Sequence, residues 1–249
     1  MTQIYDLSDP LTLLDGLPFV DEGFTAKRLL AAVAAARHVT AEREGRTGRI
    51  GEHHAETWLG PSGALLLAGG QAMPAIPLTP GKKVQVAAKL AEIGVLVPAW
   101  TQLTTLPIRY AGLYPANGAI SASSRAWPQH ILLAEEAFAT PIELREQVVH
   151  ELSHQWLYLL EELWRLELPS ARRVALPSGT ADRSPAEVLG AAHVATVLIR
   201  LYEAAGDAPP GRLAKLAAYR TGCLHVLDRI ADDLTDLGRA VARHLKEAT

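Results

Sequence analysis

The feature of this sequence that most constrains its fold is the pentapeptide His150-Glu151-Leu152-Ser153-His154, inside a long amphipathic segment. Thr140-Pro141-Ile142-Glu143 opens that segment with the residues of a capping box and a proline at the first helical position. Apolar residues then recur at helical spacing to about Glu167, with no glycine or proline among them. The pattern predicts one long, largely buried helix.

Two histidines in this helix have the spacing of metal ligands. Residues four apart lie on one helix face, so His150 and His154 can direct their rings at one point, with Glu151 beside them as the expected catalytic group. Burying two imidazoles and a carboxylate is costly unless they bind something. The H-E-x-x-H spacing therefore predicts a metal site with an acid/base group next to it.

A third protein ligand is needed, with open positions left for small molecules. His193 is favoured, because the small residues around it let its helix approach a neighbour closely. Glu187 and Asp182 are alternatives. Glu187 is placed as in gluzincins but also closes a capping box with Ser184, and Asp182 matches the aspzincin pattern only in part. Metzincins are excluded, because leucines stand at positions 157 and 160, where that class has glycine and histidine.

The rest of the chain predicts a mainly α (α+β) protein. Short strands are expected at residues 106–110 and 130–134, with turns between them at 115–118 and 121–125. Helices are expected at residues 24–44 and 82–94, from 185 to about 205, and twice more after residue 212. A small sheet preceding the H-E-x-x-H helix gives a zincin-like order of elements. We expect a helical N-terminal region over residues 1–100 and a metal-binding catalytic region over 101–249, possibly as one continuous domain.

Charge and composition exclude several classes of protein. The formal net charge is −3 and no basic stripe is present, which argues against a nucleic-acid partner. The longest apolar run, Leu29 to Ala36, is too short to span a membrane. Cys223 is the single cysteine, and the first ten residues lack the pattern of a secretory signal. We therefore expect a cytoplasmic protein without a membrane segment. The adjacent pair His53-His54 is expected in a solvated loop, since neighbouring histidines do not share a helix face.

Residues 140–205 resemble the H-E-x-x-H peptide-modification family found beside ribosomally made peptides, the 2-oxoglutarate-dependent peptide β-hydroxylases. The likeness is carried by residues 150–154 and by Arg183-Ser184-Pro185, followed by Leu189-Gly190-Ala191-Ala192-His193. It implies that His150, His154 and His193 hold Fe(II), that 2-oxoglutarate binds at the open positions, and that a precursor peptide is hydroxylated at a side-chain β-carbon. It also implies that an arginine binds the distal carboxylate of 2-oxoglutarate, because a guanidinium forks onto a carboxylate. Arg183 is the first candidate for this role, and Arg109 and Arg125 are alternatives.

The motif alone does not exclude other functions. In a zinc peptidase Glu151 would be the general base that takes a proton from metal-bound water. Imidazole ligands suit both Zn²⁺ and Fe(II), so the donors do not select the metal. A helical binding module with a structural metal is disfavoured, because structural sites are usually closed by four ligands and rich in cysteine.

Overall fold

The computed structural model describes residues 9–46 and 55–248, with only the backbone of Ala55. His53 and His54 lie outside the described residues. The described residues are 60% helical with a small mixed sheet, which confirms the mainly α (α+β) class. The zincin-like arrangement stays a prediction.

Ten α-helices and four strands are present in the described residues. The helices are α1 (Pro10–Leu14), α2 (Ala26–Arg43), α3 (Ala55–Trp58), α4 (Pro61–Leu67), α5 (Pro80–Leu96), α6 (Thr101–Thr104), α7 (Pro141–Leu163), α8 (Pro185–Ala205), α9 (Arg212–Arg229) and α10 (Asp236–Glu247). The strands are β1 (Ala75–Ile76), β2 (Arg109–Leu113), β3 (Ser121–Ala122) and β4 (His130–Leu133).

The chain divides into two compact units. The first comprises Met1–Ala26 and Trp164–Thr249, and the second comprises Lys27–Leu163. The second unit contains residues from both sides of the boundary predicted near residue 100, and the division predicted there stays a prediction.

The sheet and the H-E-x-x-H helix belong to the second unit. The strand order is β1-β2-β4-β3, with β2 and β4 parallel and the two outer strands antiparallel to their neighbours. All four residues of β4 are buried, and α7 packs against β4 and β3. The side chain of Gln155 joins helix to strand, because it accepts a hydrogen bond from the Gln129 amide and donates one to the His130 carbonyl.

The predicted proline and the threonine half of the predicted capping box are present at the start of α7. Pro141 is its first residue, and the Thr140 hydroxyl accepts a hydrogen bond from the Glu143 amide at 3.0 Å. The Glu143 carboxylate accepts a hydrogen bond from the side chain of Gln147, one turn further along. The helix ends at Leu163, four residues before the predicted end, where the second unit also ends.

The first unit is helical and is built around α8, which packs against α9 and α10. Ser184 and Glu187 form the predicted capping box, and Gly206 ends the helix in the left-handed conformation with φ 67°. Among the described residues α8 is the one helix long and apolar enough to span a membrane. Within its 18-residue apolar stretch, 67% is buried inside the protein. This is typical of a core helix in a soluble protein, and the cytoplasmic location stays a prediction.

Two of the four strands, β1 and β3, were not predicted. Residues 121–125 were predicted as a turn, but Ser121 and Ala122 pair antiparallel with Leu133 and Leu132 as β3. Serine and alanine carry no strong strand signal, so this strand depends on pairing with a buried neighbour rather than on its own residues.

Candidate metal centre on helix α7

Two imidazoles lie one helical turn apart on α7. The ring centres of His150 and His154 are 5.0 Å apart, with an angle of 62° between the ring planes. Metal–nitrogen bonds of about 2.1 Å, with angles of about 90–110° at the metal, separate the centres of two ligating rings by roughly 4.5–5.2 Å. The observed spacing falls in this range, and the His150 side chain is 35% exposed. The ring separation is therefore compatible with two ligands of one metal ion, and the His150 side chain is partly open to solvent.

Glu151 is buried beside this pair and is held by two serines. Its side chain is 4% exposed. The Ser121 hydroxyl lies 2.6 Å from one carboxylate oxygen, and the Ser123 hydroxyl lies 2.5 Å from the other. The first of these oxygens, Oε1, lies 4.0 Å from His150 Nε2. Glu151 thus faces the metal ligand while each of its oxygens lies within hydrogen-bonding distance of a serine hydroxyl, and the Ser121 hydroxyl also lies 2.6 Å from Gln147 Oε1.

An aromatic and charged group continues the site along α7. The rings of His154 and Tyr158 stack at 6.0 Å with an angle of 15°. The Arg125 guanidinium lies 5.5 Å from the centre of the Tyr158 ring and forms an ion pair with Glu161. Burial, followed by the nearby charge of Glu151, raises the pKa of Tyr158 to about 12, so this phenol stays protonated at neutral pH. The site thus places a cation two turns beyond the histidine pair.

The sequence predicted Arg183 to bind the distal carboxylate of 2-oxoglutarate, with Arg109 and Arg125 as alternatives. Arg109 lies on β2 and donates a hydrogen bond to Ser62 at 2.8 Å. Arg183 belongs to the first unit, where it forms an ion pair with Glu187 at 2.7 Å. Arg125 lies in the turn that follows β3, so no local pattern in the sequence identifies its contacts with Tyr158 and Glu161 on α7.

His193 belongs to the first unit and is fully buried there. Its Nε2 donates a hydrogen bond to the Pro18 carbonyl at 2.7 Å, so Nδ1 carries the lone pair. That Nδ1 atom has no hydrogen-bond partner among the described residues. Burial lowers the pKa of His193 to about 4, although the hydrogen bond to Pro18 partly opposes this. The ring is therefore neutral at physiological pH, as both a core histidine and a metal ligand require.

The two alternative third ligands also lie in the first unit. Glu187 closes the capping box and forms ion pairs with Arg173 and Arg183. Burial alone would raise its pKa, but the hydrogen bond from the Ser184 amide and the arginines lower it below the usual value. Asp182 has a left-handed backbone, with φ 59°, and its carbonyl accepts a hydrogen bond from Arg173. Glu187 thus has a sufficient structural role.

Across residues 9–46 and 55–248, no group of three or more His, Cys, Asp or Glu side chains is arranged to hold a metal ion. The structure therefore describes two of the predicted ligands together, and the third ligand stays a prediction.

Comparisons with known proteins add no family to this geometry. No protein-family model matches the chain, and no curated protein matches it.

Proposed function

We propose that this protein is an Fe(II)- and 2-oxoglutarate-dependent hydroxylase that modifies a side-chain β-carbon of a ribosomally made precursor peptide. The observation that carries the proposal is the His150–His154 pair, whose ring centres are 5.0 Å apart, as two ligands of one metal require. The resemblance of residues 140–205 to the peptide β-hydroxylases supplies the choice of iron, co-substrate and peptide.

Each part of the site has a task in this proposal. Bound Fe(II) with 2-oxoglutarate supplies the chemistry that inserts an oxygen atom from O₂ into a C–H bond. His150 and His154 hold the metal through neutral imidazole nitrogens, and His193 stays the predicted third ligand. The half-exposed ring of His150 leaves one side of the pair open to solvent.

Arg125 is the best-placed described residue for the distal carboxylate of 2-oxoglutarate. Its guanidinium is 42% exposed, lies over Tyr158, and reaches the same stripe of α7 as the two histidines. The ion pair with Glu161 orients the Arg125 guanidinium and leaves some of its N–H groups accessible. Arg109 lies on β2 and is hydrogen-bonded to Ser62, so it is a weaker candidate.

The surroundings of Glu151 favour a hydroxylase over a zinc peptidase. A peptidase needs this carboxylate as a base that takes a proton from metal-bound water. Here Ser123 lies 2.5 Å from one carboxylate oxygen, and Ser121, whose single proton is shared with Gln147 Oε1, lies 2.6 Å from the other. The carboxylate is therefore held rather than free to approach a water molecule. A hydroxylase requires no general base at this position.

The test is succinate production from 2-oxoglutarate by protein purified without oxygen, loaded with Fe(II) and then exposed to O₂. We expect succinate to form slowly without a peptide and faster with the correct peptide, which gains one oxygen atom. His154→Ala should abolish turnover. Arg125→Met should raise the KM for 2-oxoglutarate by about 10- to 100-fold, as expected for a lost hydrogen bond to a charged group. Arg109→Met is the matched control and should keep the KM of the wild type.

A parallel assay distinguishes the competing class. The zinc-loaded protein is incubated with a peptide library and cleavage is followed by mass spectrometry. Cleavage that is lost in Glu151→Gln, together with no succinate from the iron-loaded protein, would refute the hydroxylase and identify a zinc peptidase.

A further inference from the structure

Ser121 and Ser123 hold Glu151 from two directions. They stand two residues apart in an extended segment, so both side chains project to the same side. Their hydroxyls lie 2.6 and 2.5 Å from different carboxylate oxygens, which are distances typical of O–H donors to a charged acceptor. Pairing with Leu133 fixes the backbone of Ser121, whose hydroxyl also lies 2.6 Å from Gln147 Oε1, and Ser123 has a hydrogen-bond contact with the Tyr158 hydroxyl. Both tethers are therefore anchored elsewhere in the second unit.

The tethers set a distance that matters for a metal. His150 Nε2 and Glu151 Oε1 are 4.0 Å apart. Two atoms that bind one ion at about 2.1 Å each, with an angle of about 90–110° between them, lie roughly 3.0–3.4 Å from each other. Glu151 Oε1 would thus have to move closer to His150 Nε2 by no more than about 1 Å for both atoms to bind the same metal ion. A rotation of the untethered side chain would close this gap.

We propose that Ser121 and Ser123 are positioning residues that keep Glu151 beside the metal and prevent it from becoming a ligand. The inference rests on the proposed metal site at His150 and His154. A carboxylate that entered the metal's coordination would occupy a position that the co-substrate needs. The two serines therefore act through Glu151 to keep that position open.

The experiment is a titration of metal-free protein with Co(II), followed by visible absorption, because the bands of Co(II) report the number and type of its ligands. The test variant is Ser121→Ala/Ser123→Ala. We expect it to bind Co(II) at least as tightly as the wild type, with changed bands, and to lose about 10- to 100-fold in turnover when loaded with iron. Each single alanine variant should give a smaller spectral change and serves where the double variant folds poorly.

Three controls define the mechanism. Ser124→Ala is the matched variant, because Ser124 lies in the same segment but accepts a hydrogen bond from the Ala126 amide instead. It should leave the bands and the turnover unchanged, and Ser121→Thr/Ser123→Thr should restore the wild-type bands. In a Glu151→Ala background, removal of both serines should cause no further spectral change, because they act through the carboxylate.

Identical bands in the wild type and the double alanine variant would overturn the inference. So would a spectral change that persists in the Glu151→Ala background. Failure of the metal site has a different signature: the wild type binds no Co(II), or binding survives His150→Ala/His154→Ala. Failure of the hydroxylase alone appears as intact Co(II) binding with no succinate formed by the iron-loaded wild type.

Discussion

Arg37 is expected to be one of the most important single residues for the stability of the second unit. It lies on α2 with a side chain that is only 4% exposed. Two of its nitrogens donate to the two carboxylate oxygens of Glu162, at 2.8 and 2.7 Å. A third nitrogen donates to the Trp58 carbonyl at 2.7 Å and to the Gln129 side-chain oxygen at 2.6 Å. One guanidinium thus joins α2, α3, the residue before β4 and the end of α7.

The cost of replacing Arg37 with methionine follows from these contacts. The chain would lose a bidentate ion pair whose carboxylate is 30% exposed, which contributes about 1 kcal/mol after screening by solvent. Trp58 and Gln129 would each keep an acceptor in a buried region without its donor, at about 1–2 kcal/mol each. The expected loss is therefore about 3–5 kcal/mol, a large part of the roughly 5–15 kcal/mol that stabilises a typical domain.

Urea unfolding followed by circular dichroism measures this loss through the midpoint and slope of the transition. Arg37→Lys should recover only a small part of it, because an ammonium group does not reproduce the four directed contacts. Glu162→Gln should lower the free energy of unfolding less than either Arg37 substitution does. It weakens only the ion pair and leaves the Arg37 contacts to Trp58 and Gln129 in place. A loss below about 1 kcal/mol for Arg37→Met, or full stability in Arg37→Lys, would refute this reasoning.

Three further predictions concern the first unit. His193 has a folded pKa of about 4, below the value of about 6.5 for an unfolded histidine, so the unfolded state binds more protons between these values. Metal-free protein should accordingly lose about 3 kcal/mol as the pH falls from about 6.5 to about 4, and His193→Gln should remove this dependence in urea unfolding at each pH. Burial raises the pKa of Cys223 to about 11, so a thiol reagent at pH 8 should modify it only after denaturant is added, and rapid labelling of the native protein would contradict this. Gly238→Ala should cost at least about 2 kcal/mol in thermal unfolding, because a Cβ there would lie 2.0 Å from the Leu166 carbonyl oxygen, and an unchanged midpoint would refute that clash.

Helices with strong terminal signals were predicted well. The helix expected from residue 185 to about 205 is present as Pro185–Ala205, because a capping box at one end and Gly206 at the other restrict its limits locally. The strand predicted at residues 106–110 lies instead at Arg109–Leu113. Its limits follow from pairing with β4, which is a contact distant in sequence and leaves no local signal.

The candidate site was predictable only where its residues share one helix. His150 and His154 are neighbours in space because the helical repeat makes them so, and the motif was sufficient to place them. The roles of Ser121, Ser123 and Arg125 were not predicted, since each depends on how β3 is aligned with α7.

The alignment of β3 with α7 brings residues of a strand and of a helix into contact. Along α7 the site residues follow the helical repeat, whereas Ser121 and Ser123, in β3 and just after it, stand two residues apart. Ser121 and Ser123 contact Glu151, and Arg125, in the turn that follows, contacts Glu161 ten residues later, so the segment from Ser121 to Arg125 runs along the helix in the same direction. A shift of β3 by one residue would turn its hydroxyls away from Glu151. The antiparallel pairing of Ser121 with Leu133 therefore determines both the edge of the sheet and the position of the carboxylate beside the two histidines.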